Sequence, residues 1–119
     1  MNKSESKFRQ LLLQKCPHAY IKKIPDFKQT GSTLMRGLPD YLVICNGEYF
    51  WFEVKYIKSL KTFNFNEIND YQWIEFAKLL KNGVNVNITI YNSNYELFII
   101  PFNSLYDMKL SNIKKIKIK

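Results

Sequence analysis

The chain has 119 residues, 46% of them hydrophobic, and its 18 Lys and Arg against 10 Asp and Glu residues give a formal net charge of +8 at pH 7. This length supports one hydrophobic core, so we expect a single domain over residues 1–119 with a basic C-terminal tail at about 112–119. No apolar run is long enough to span a membrane, and the amino terminus is polar. These features exclude an integral membrane protein and predict a cytoplasmic location without membrane contact.

The first predicted element is an amphipathic helix over Ser4–Lys15, capped by Asn2 or Ser4 and stopped by Pro17. Glu5 lies in its first turn, where the helix dipole favours an acidic residue. The same residue is also placed to close a capping box with Asn2. Glu5 therefore has a structural interpretation in addition to any role at a site.

Three β-strands are predicted in the first half of the chain. A weak strand over Ile21–Phe27 is followed by a loop at Thr30–Thr33. Two stronger runs of β-branched and aromatic residues, Tyr41–Cys45 and Glu48–Tyr56, are joined by Asn46-Gly47. That pair favours a type I′ turn, because both central residues of the turn need positive φ. We therefore expect a β-hairpin, with the weak strand paired to it.

The two-residue turn fixes the register of the hairpin and thereby the position of two carboxylates. Counting outward from the turn places Asp40 opposite Glu53, with Cβ atoms roughly 4.5 to 5.5 Å apart. The period of two in a strand puts Lys55 on the same face. Like charges opposite each other destabilise a strand pair, so the two acids need a compensating cation. We predict Mg²⁺, with Mn²⁺ expected to substitute, held by the acids and the backbone carbonyl of Val54. Lys55 is then placed to orient or deprotonate an attacking water.

A simpler alternative for these residues is structural. Asp40 would cap a turn, and Glu53 would pair with Lys55 on a solvated face. The neighbours argue against this alternative, since Phe50–Phe52 and Val54 give apolar character to both sides of the second hairpin strand. Such a pattern is typical of a central strand covered on both faces. A charged pair at the end of a covered strand indicates function, because burying charge is costly.

The second half of the chain is predicted to contain two helices and two strands. A helix capped by Asp70 or Asn69 ends before Gly83, and its apolar stripe places Gln72 near the buried edge. A buried amide needs a hydrogen-bonding partner, such as a site carboxylate or a bound water; the alternative is an exposed Gln72. The element order predicts an α/β fold with a central mixed β-sheet flanked by helices. The remaining elements are a strand over Val84–Ile90, a turn at Asn92–Asn94, a strand over Tyr95–Ile100 and a short helix from Asn103 or Ser104.

The two cysteines and the single histidine form no recognisable site in the sequence. Cys16 and Cys45 are not at a metal-site spacing. A disulfide between them is possible, but reduced thiols that act as small core hydrophobes are favoured in a cytosolic chain. His18 has no second histidine or ligand cluster near it, so we interpret it as structural or DNA-contacting rather than catalytic.

The segment Gly37–Asp40, the hydrophobic hairpin and Glu53–Lys55 together resemble the signature of the PD-(D/E)XK nuclease superfamily. Glu5 occupies a place comparable to the acidic residue that a preceding helix often supplies in that superfamily. Phe63–Gln72 resembles the segment after the catalytic strand in RecU-type Holliday junction resolvases and VRR-NUC domains, in which a Gln opens the next helix and points back at the site. The resemblance covers about Glu5–Leu105 and implies a restriction-endonuclease-like core.

The resemblance also implies a function. It indicates a metal-dependent DNA endonuclease of recombination or repair, acting on branched or junction DNA. Asp40, Glu53 and Glu5 would be metal ligands, Lys55 would assist the water, and Gln72 would orient the site. RecU-type resolvases act as homodimers, because a symmetric cut in a four-way junction requires two sites related by a twofold axis.

The charge distribution is consistent with a nucleic-acid partner. Positive residues lie on both sequence flanks of the acidic pair, which suits a polyanion whose phosphate must reach a metal. A lysine- and asparagine-rich composition also has a simpler origin in genomic base composition. The tail suits a frayed end or an edge strand as well as a lipid contact. The candidate DNA contacts are Lys22, Lys23, Lys28, Thr30, Ser32, Arg36, Lys58 and Lys61.

Other functions are compatible with the same residues. A sequence-specific restriction or homing endonuclease uses the same catalytic hairpin, and recognition elements do not follow from that hairpin. A catalytically silent nucleic-acid-binding module is opposed by the intact set of Asp40, Glu53 and Lys55. A basic protein-interaction domain is a third alternative, which salt-dependent DNA binding would exclude.

Overall fold

The computed structural model describes residues 2–25 and 37–119. Within these ranges no helix combines the length and the apolar character needed to cross a membrane. A short 3₁₀ turn at Phe65–Glu67 precedes the second helix. In chain order the elements are α1 (Lys3–Lys15), β1 (Tyr20–Lys23), β2 (Tyr41–Cys45), β3 (Glu48–Tyr56), β4 (Thr62–Asn64), α2 (Asp70–Lys81), β5 (Asn87–Tyr91), β6 (Leu97–Pro101), α3 (Phe102–Leu110) and β7 (Lys115–Lys117).

The main sheet has five strands in the order β1-β2-β3-β5-β6. The β3–β5 pair is parallel and the other pairs are antiparallel, so the sheet is mixed. A parallel pair needs a crossover connection, and α2 lies in the connection between β3 and β5. Strands β4 and β7 form a separate two-stranded sheet, so the basic tail contributes an edge strand. The predicted α/β class with a central mixed sheet flanked by helices is confirmed.

The hairpin follows the register that the turn dictates. Asn46 and Gly47 have φ values of 53° and 79°, as a type I′ turn requires. Cys45 pairs with Glu48, and the pairing continues outward to Tyr41 and Phe52. The bounds of both hairpin strands agree with the prediction from sequence.

Both predicted helix starts carry capping boxes. Asn2 caps α1, with Glu5 completing the box, and Asn69 caps α2, with Gln72 completing it. Each box satisfies N–H groups that the first turn of a helix otherwise leaves unpaired. The predicted stop of α2 is also confirmed, because Gly83 adopts φ 84° and donates its N–H to the Leu80 carbonyl at 3.0 Å.

Three strands differ in their bounds from the prediction, and one of them is β6, which covers Leu97–Pro101 rather than Tyr95–Ile100. Strand β1 covers Tyr20–Lys23 rather than Ile21–Phe27, of which residues 26 and 27 lie outside the described ranges. Strand β5 begins at Asn87 rather than at Val84. Before Asn87 the pairing with β6 continues by a single hydrogen bond, from the Phe102 N–H to the Val86 carbonyl at 2.8 Å, at the residue where α3 begins.

The core lies on both faces of the sheet. On one face Phe8 of α1 packs with Tyr41 and Val43 of β2. On the other face Ile88 and Ile90 pack in one cluster with the apolar side chains of α2 and α3. The central position predicted for β3 is confirmed. The prediction that both faces of the whole strand are covered was wrong, however, because the early residues of β3 are exposed.

The expectation of two reduced thiols was wrong: Cys16 and Cys45 form a disulfide. Cys16 is the C-cap of α1, and Cys45 ends β2 on the same sheet face as Tyr41 and Val43. Because α1 packs on that face through Phe8, the end of the helix meets the end of the strand. A sequence separation of 29 residues conceals this proximity.

Candidate metal centre

Asp40 and Glu53 are joined by the backbone of the two hairpin strands. The Asp40 N–H donates to Glu53 Oε1 at 3.2 Å. The Val54 N–H donates to Asp40 Oδ2 at 2.9 Å. Each carboxylate is therefore anchored by the strand that carries the other, and the structure brings the two predicted acids together.

The environment of Glu53 is unfavourable for a negative charge. Its residue surface is only 2% exposed. Burial, and then the charge of Asp40, raise the pKa of Glu53 to about 7, although Lys55 and Gln72 act in the opposite direction. A bound cation would stabilise the ionised form of such a carboxyl group, which is buried beside a second carboxylate.

Lys55 lies beside Glu53 and not on a solvated face. Its Nζ is 3.2 Å from Glu53 Oε2, and both side chains are largely buried. The same Nζ donates to Gln72 Oε1 at 2.9 Å. The structural alternative of a surface ion pair therefore does not describe this pair.

Gln72 is buried and points at the acidic pair, so the alternative of a surface Gln was wrong. Its Nε2 donates to Glu53 Oε2 at 2.7 Å. Its Oε1 accepts from Lys55 and, at 3.2 Å, from the Asn69 N–H within the capping box. Two donors on the oxygen and a carboxylate at the nitrogen fix the orientation of the amide.

Position 37, at the start of the segment that leads to Asp40, requires a glycine for two reasons. It has φ 80°, a conformation that side chains rarely adopt. A Cβ at this position would lie 2.7 Å from the Tyr71 carbonyl oxygen, in the first turn of α2. The glycine thus lets the lead-in to Asp40 pass directly against the helix that carries Gln72. The sequence signature contained this glycine, but its packing role was missed.

The donor set fits a hard divalent cation. Asp40 and Glu53 offer carboxylate oxygens. In a strand the N–H and C=O of one residue point toward the same edge, and the Val54 N–H points at Asp40. The Val54 carbonyl therefore faces the Asp40 side as well. Oxygen-only donors of this kind suit Mg²⁺ or Mn²⁺.

Comparison with known proteins identifies the family. The model of the family described as Recombination protein U, RecU, matches residues 14–119. The chain belongs to the RecU family. Among solved structures, Archaeoglobus fulgidus Hjc, a Holliday junction resolvase from an archaeal hyperthermophile, matches with a TM-score of 0.54 and 18% sequence identity, over 94% of this chain and 85% of that chain. A search of the curated proteins found no significant match. The predicted resemblance to RecU-type resolvases and the restriction-endonuclease-like core are both confirmed.

In this RecU-family chain the Glu5 carboxylate is engaged away from Glu53. It accepts a hydrogen bond from the Tyr41 hydroxyl at 3.0 Å and forms an ion pair with Lys23. Tyr41 and Glu53 lie on opposite sheet faces, because Tyr41 pairs with Phe52. Among the described residues, Glu5, Asp40 and Glu53 do not form a set of ligand atoms within 4.8 Å of one another. Sequence reasoning missed the role of Tyr41 in holding Glu5.

The predicted DNA contacts are only partly within the described ranges. Lys22 and Lys23 lie on the edge strand β1, and Lys23 also stands over the Tyr41 ring at 5.1 Å. Lys58 and Lys61 are exposed and follow β3. The four residues outside the described ranges are Lys28, Thr30, Ser32 and Arg36.

Proposed function

We propose that this RecU-family chain is a metal-dependent, structure-specific DNA endonuclease that hydrolyses phosphodiester bonds in Holliday junctions, in cytoplasmic DNA recombination or repair. The observation that carries the proposal is the buried cluster in which Asp40, Lys55 and Gln72 all converge on Glu53. Family membership and the fold shared with a junction resolvase support it.

Asp40, Glu53 and the Val54 carbonyl would hold Mg²⁺, with Mn²⁺ able to replace it. When bound, such an ion polarises phosphate oxygens and lowers the pKa of a coordinated water. The chain itself supplies the anchoring of both carboxylates by strand backbone N–H groups. We propose that Glu5 is not a ligand of this ion, because Tyr41 and Lys23 hold its carboxylate on the other side of the sheet.

We assign Lys55 a contact with the attacking water or with an oxygen of the reacting phosphate. An ammonium group has three N–H donors. In the described part of the chain two of these are directed to Glu53 and Gln72. The third is then available to orient the attacking water or to offset charge on the phosphate. Gln72 positions both partners, because one amide holds Glu53 through its nitrogen and Lys55 through its oxygen.

DNA binding is proposed from charge. A net charge of +8 favours a polyanionic partner. Three exposed cations lie near the hairpin: Lys22 on β1, paired with Leu42 near the start of β2, and Lys58 and Lys61 in the connection that follows β3. We propose that they contact phosphates, together with Lys28, Thr30, Ser32 and Arg36. Lys23 is assigned a weaker contribution, because its charge is paired with Glu5.

We propose a homodimer because the sheet has an exposed apolar surface. Tyr20, Ile44 and Tyr49 form one row across β1, β2 and β3 and are 57%, 39% and 59% exposed. We call these three residues the apolar hairpin face. By strand periodicity the row lies on the same sheet face as Asp40 and Glu53. A second copy seated on this face would bury it and place two sites in one assembly, as symmetric cleavage requires.

The proposal is tested with Mg²⁺ or Mn²⁺ and a panel of four-way junctions, flaps, duplex, single strands and plasmid. We expect metal-dependent cleavage with symmetric paired nicks in the junction. Asp40→Asn and Lys55→Ala should abolish the cleavage. Lys78→Ala, an exposed lysine on α2, is the matched control and should retain it. Activity that survives Asp40→Asn would overturn the site.

The same panel separates the alternatives. Cleavage of plasmid at fixed sequences without junction preference would indicate a restriction or homing endonuclease. Salt-dependent binding without cleavage would indicate a silent nucleic-acid-binding module, since phosphate contacts release counterions. Failure to bind DNA at low salt would exclude both and leave a protein-interaction domain.

A further inference from the structure

A second cluster of ligand-type side chains lies at the turn end of the hairpin. Cys16, His18 and Cys45 have ligand atoms that all lie within 4.8 Å of one another. In residues 2–25 and 37–119 this is the one group of three His, Cys, Asp or Glu side chains that meets this distance. The five residues of β2 separate it from Asp40, a length of roughly 17 Å. The cluster is therefore distinct from the carboxylate centre.

We propose that, when the Cys16–Cys45 disulfide is reduced, the chain binds one zinc ion through Cys16, His18 and Cys45. Two thiolates and an imidazole are the soft donors that zinc prefers, in contrast to the hard oxygen donors around Asp40. Zinc and the disulfide exclude each other, because both use the same two sulfur atoms.

The distances suit tetrahedral coordination. With bonds of about 2.3 Å to sulfur and about 2.0 to 2.1 Å to nitrogen, a tetrahedral zinc separates a sulfur from a nitrogen by about 3.6 Å. Cys16 Sγ lies 3.8 Å from His18 Nε2. The Cα atoms of Cys16 and Cys45 are 6.6 Å apart, near the upper end of the disulfide range. Once the disulfide is reduced, the two sulfur atoms are thus able to move apart to the separation of roughly 3.8 Å that a shared zinc ion requires.

In the disulfide form a hydrogen bond to the hairpin turn orients the imidazole, and zinc would replace this bond, because the Nε2 lone pair must then face the ion. His18 Nε2 lies 2.8 Å from Asn46 Oδ1, in the hairpin turn. The same nitrogen, Nε2, therefore faces both Cys16 Sγ and the hairpin turn. Three protein ligands leave a fourth position, to be taken by water or by the Asn46 amide oxygen, so the site is open in the manner of a Cys₂His centre.

Reduction of the disulfide adds two electrons and two protons and gives two thiols; a water-soluble phosphine supplies the electrons and becomes the phosphine oxide, with its oxygen from water. Zinc binding then displaces both thiol protons to solvent.

Cobalt titration of the full chain tests the proposal. The protein is reduced with a phosphine, freed of metal and titrated with Co²⁺ without oxygen. We expect one equivalent to give a thiolate-to-cobalt charge-transfer band and the visible bands of a tetrahedral ion, both removed by one equivalent of Zn²⁺. The disulfide form should give neither band. Absence of the charge-transfer band in the reduced chain would overturn the proposal.

Variants assign the ligands. Cys45→Ser should remove the charge-transfer band, and His18→Asn should weaken Co²⁺ binding by about tenfold or more. Glu53→Gln, at the carboxylate centre, should leave the band unchanged. Unchanged affinity in His18→Asn would remove histidine from the site and contradict the proposal. If Cys45→Ser does not fold, alkylation decides, since Zn²⁺ should protect both thiols of the wild-type chain; unprotected thiols would refute zinc binding.

Discussion

Gln72 donates a side-chain N–H to Glu53 at 2.7 Å and thereby joins the first turn of α2 to the central strand β3. The same residue completes the capping box of α2 with Asn69. One side chain thus serves the start of the helix and the candidate site. The capping geometry fixes where the amide points, so a local folding motif orients the group that contacts Glu53.

Gln72→Glu separates these two roles. Glutamate at this position keeps the capping box, and Lys55 and Mg²⁺ offset the added charge, so the free energy of unfolding in the presence of Mg²⁺ should change little. It replaces the donor to Glu53 by a third carboxylate, and we expect junction cleavage to fall about 10- to 100-fold. Single-turnover cleavage and thermal unfolding measure the two effects.

Asn69→Ala is the matched control for the helix cap. It should cost about 1 kcal/mol of stability and leave most of the cleavage activity. If both variants lost activity in proportion to stability, Gln72 would have only a structural role.

The stability of the metal-free chain should depend on Glu53 and pH. The pKa of Glu53 is raised to about 7 in the folded chain, so the folded state holds this proton more tightly than the unfolded state. The resulting stabilisation is fully present below the ordinary pKa of about 4.5 and is lost as pH rises through about 7. Glu53→Gln should therefore exceed the wild type in stability above pH 7 by up to a few kcal/mol, at about 1.4 kcal/mol per pKa unit.

Denaturant unfolding in a chelator, from pH 5 to pH 8, measures this difference. The difference in stability between Glu53→Gln and the wild type should shrink toward pH 5. When Mg²⁺ replaces the chelator at pH 8, it should stabilise the wild type but not Glu53→Gln. A difference that grows as pH falls would contradict the assigned cause of the shift.

Glu5→Gln tests the place of Glu5 relative to the metal. Its carboxylate is engaged by Tyr41 and Lys23, so we expect calorimetry to show a smaller loss of Mg²⁺ affinity than in Asp40→Asn. The capping box tolerates Gln, so the stability loss should be about 1 kcal/mol, from the weaker acceptor offered to Tyr41. Equal losses of affinity in the two variants would make Glu5 a direct ligand.

Gly37→Ala should damage both the fold and the site. Its Cβ would lie 2.7 Å from the Tyr71 carbonyl oxygen, in addition to the strain of φ 80°. Gly47→Ala is the matched control, because Gly47 has φ 79° but no heavy atom within 4 Å of the added Cβ. We expect about 1 to 2 kcal/mol of destabilisation in Gly47→Ala, from strain alone. Gly37→Ala should lose more stability and also lose cleavage; equal effects would exclude a packing role.

Ile44→Glu should dissociate the proposed homodimer. A charge at the centre of the apolar hairpin face would be desolvated on association, while the exposed position should tolerate it in the monomer. Ile74→Glu, at a 55% exposed position on α2, is the control. Sedimentation equilibrium measures both; dissociation by Ile74→Glu alone would place the interface on α2 instead.

Several parts of the fold were predictable because they depend on neighbours in sequence. The Asn46-Gly47 turn sets the hairpin register, and that register alone predicts that Asp40 faces Glu53. The capping boxes of α1 and α2 each lie within four residues, so their chemistry is visible in the sequence. Helical spacing placed Gln72 near the buried edge of its helix, and the family resemblance implied that it points at the site, although its contact with Lys55 was not foreseen.

Sequence by itself thus determined the hairpin, the helix starts and the approach of Asp40, Glu53 and Lys55, because turns and helix caps act over a few residues. Only the tertiary structure decided that Cys16 meets Cys45 and that Glu5 contacts Tyr41, since both depend on how α1 packs against the sheet. That packing is set by apolar side chains from distant segments, such as Phe8 against Phe52, with ring centroids 4.8 Å apart. Contacts of this kind follow from shape and burial, which no local spacing encodes.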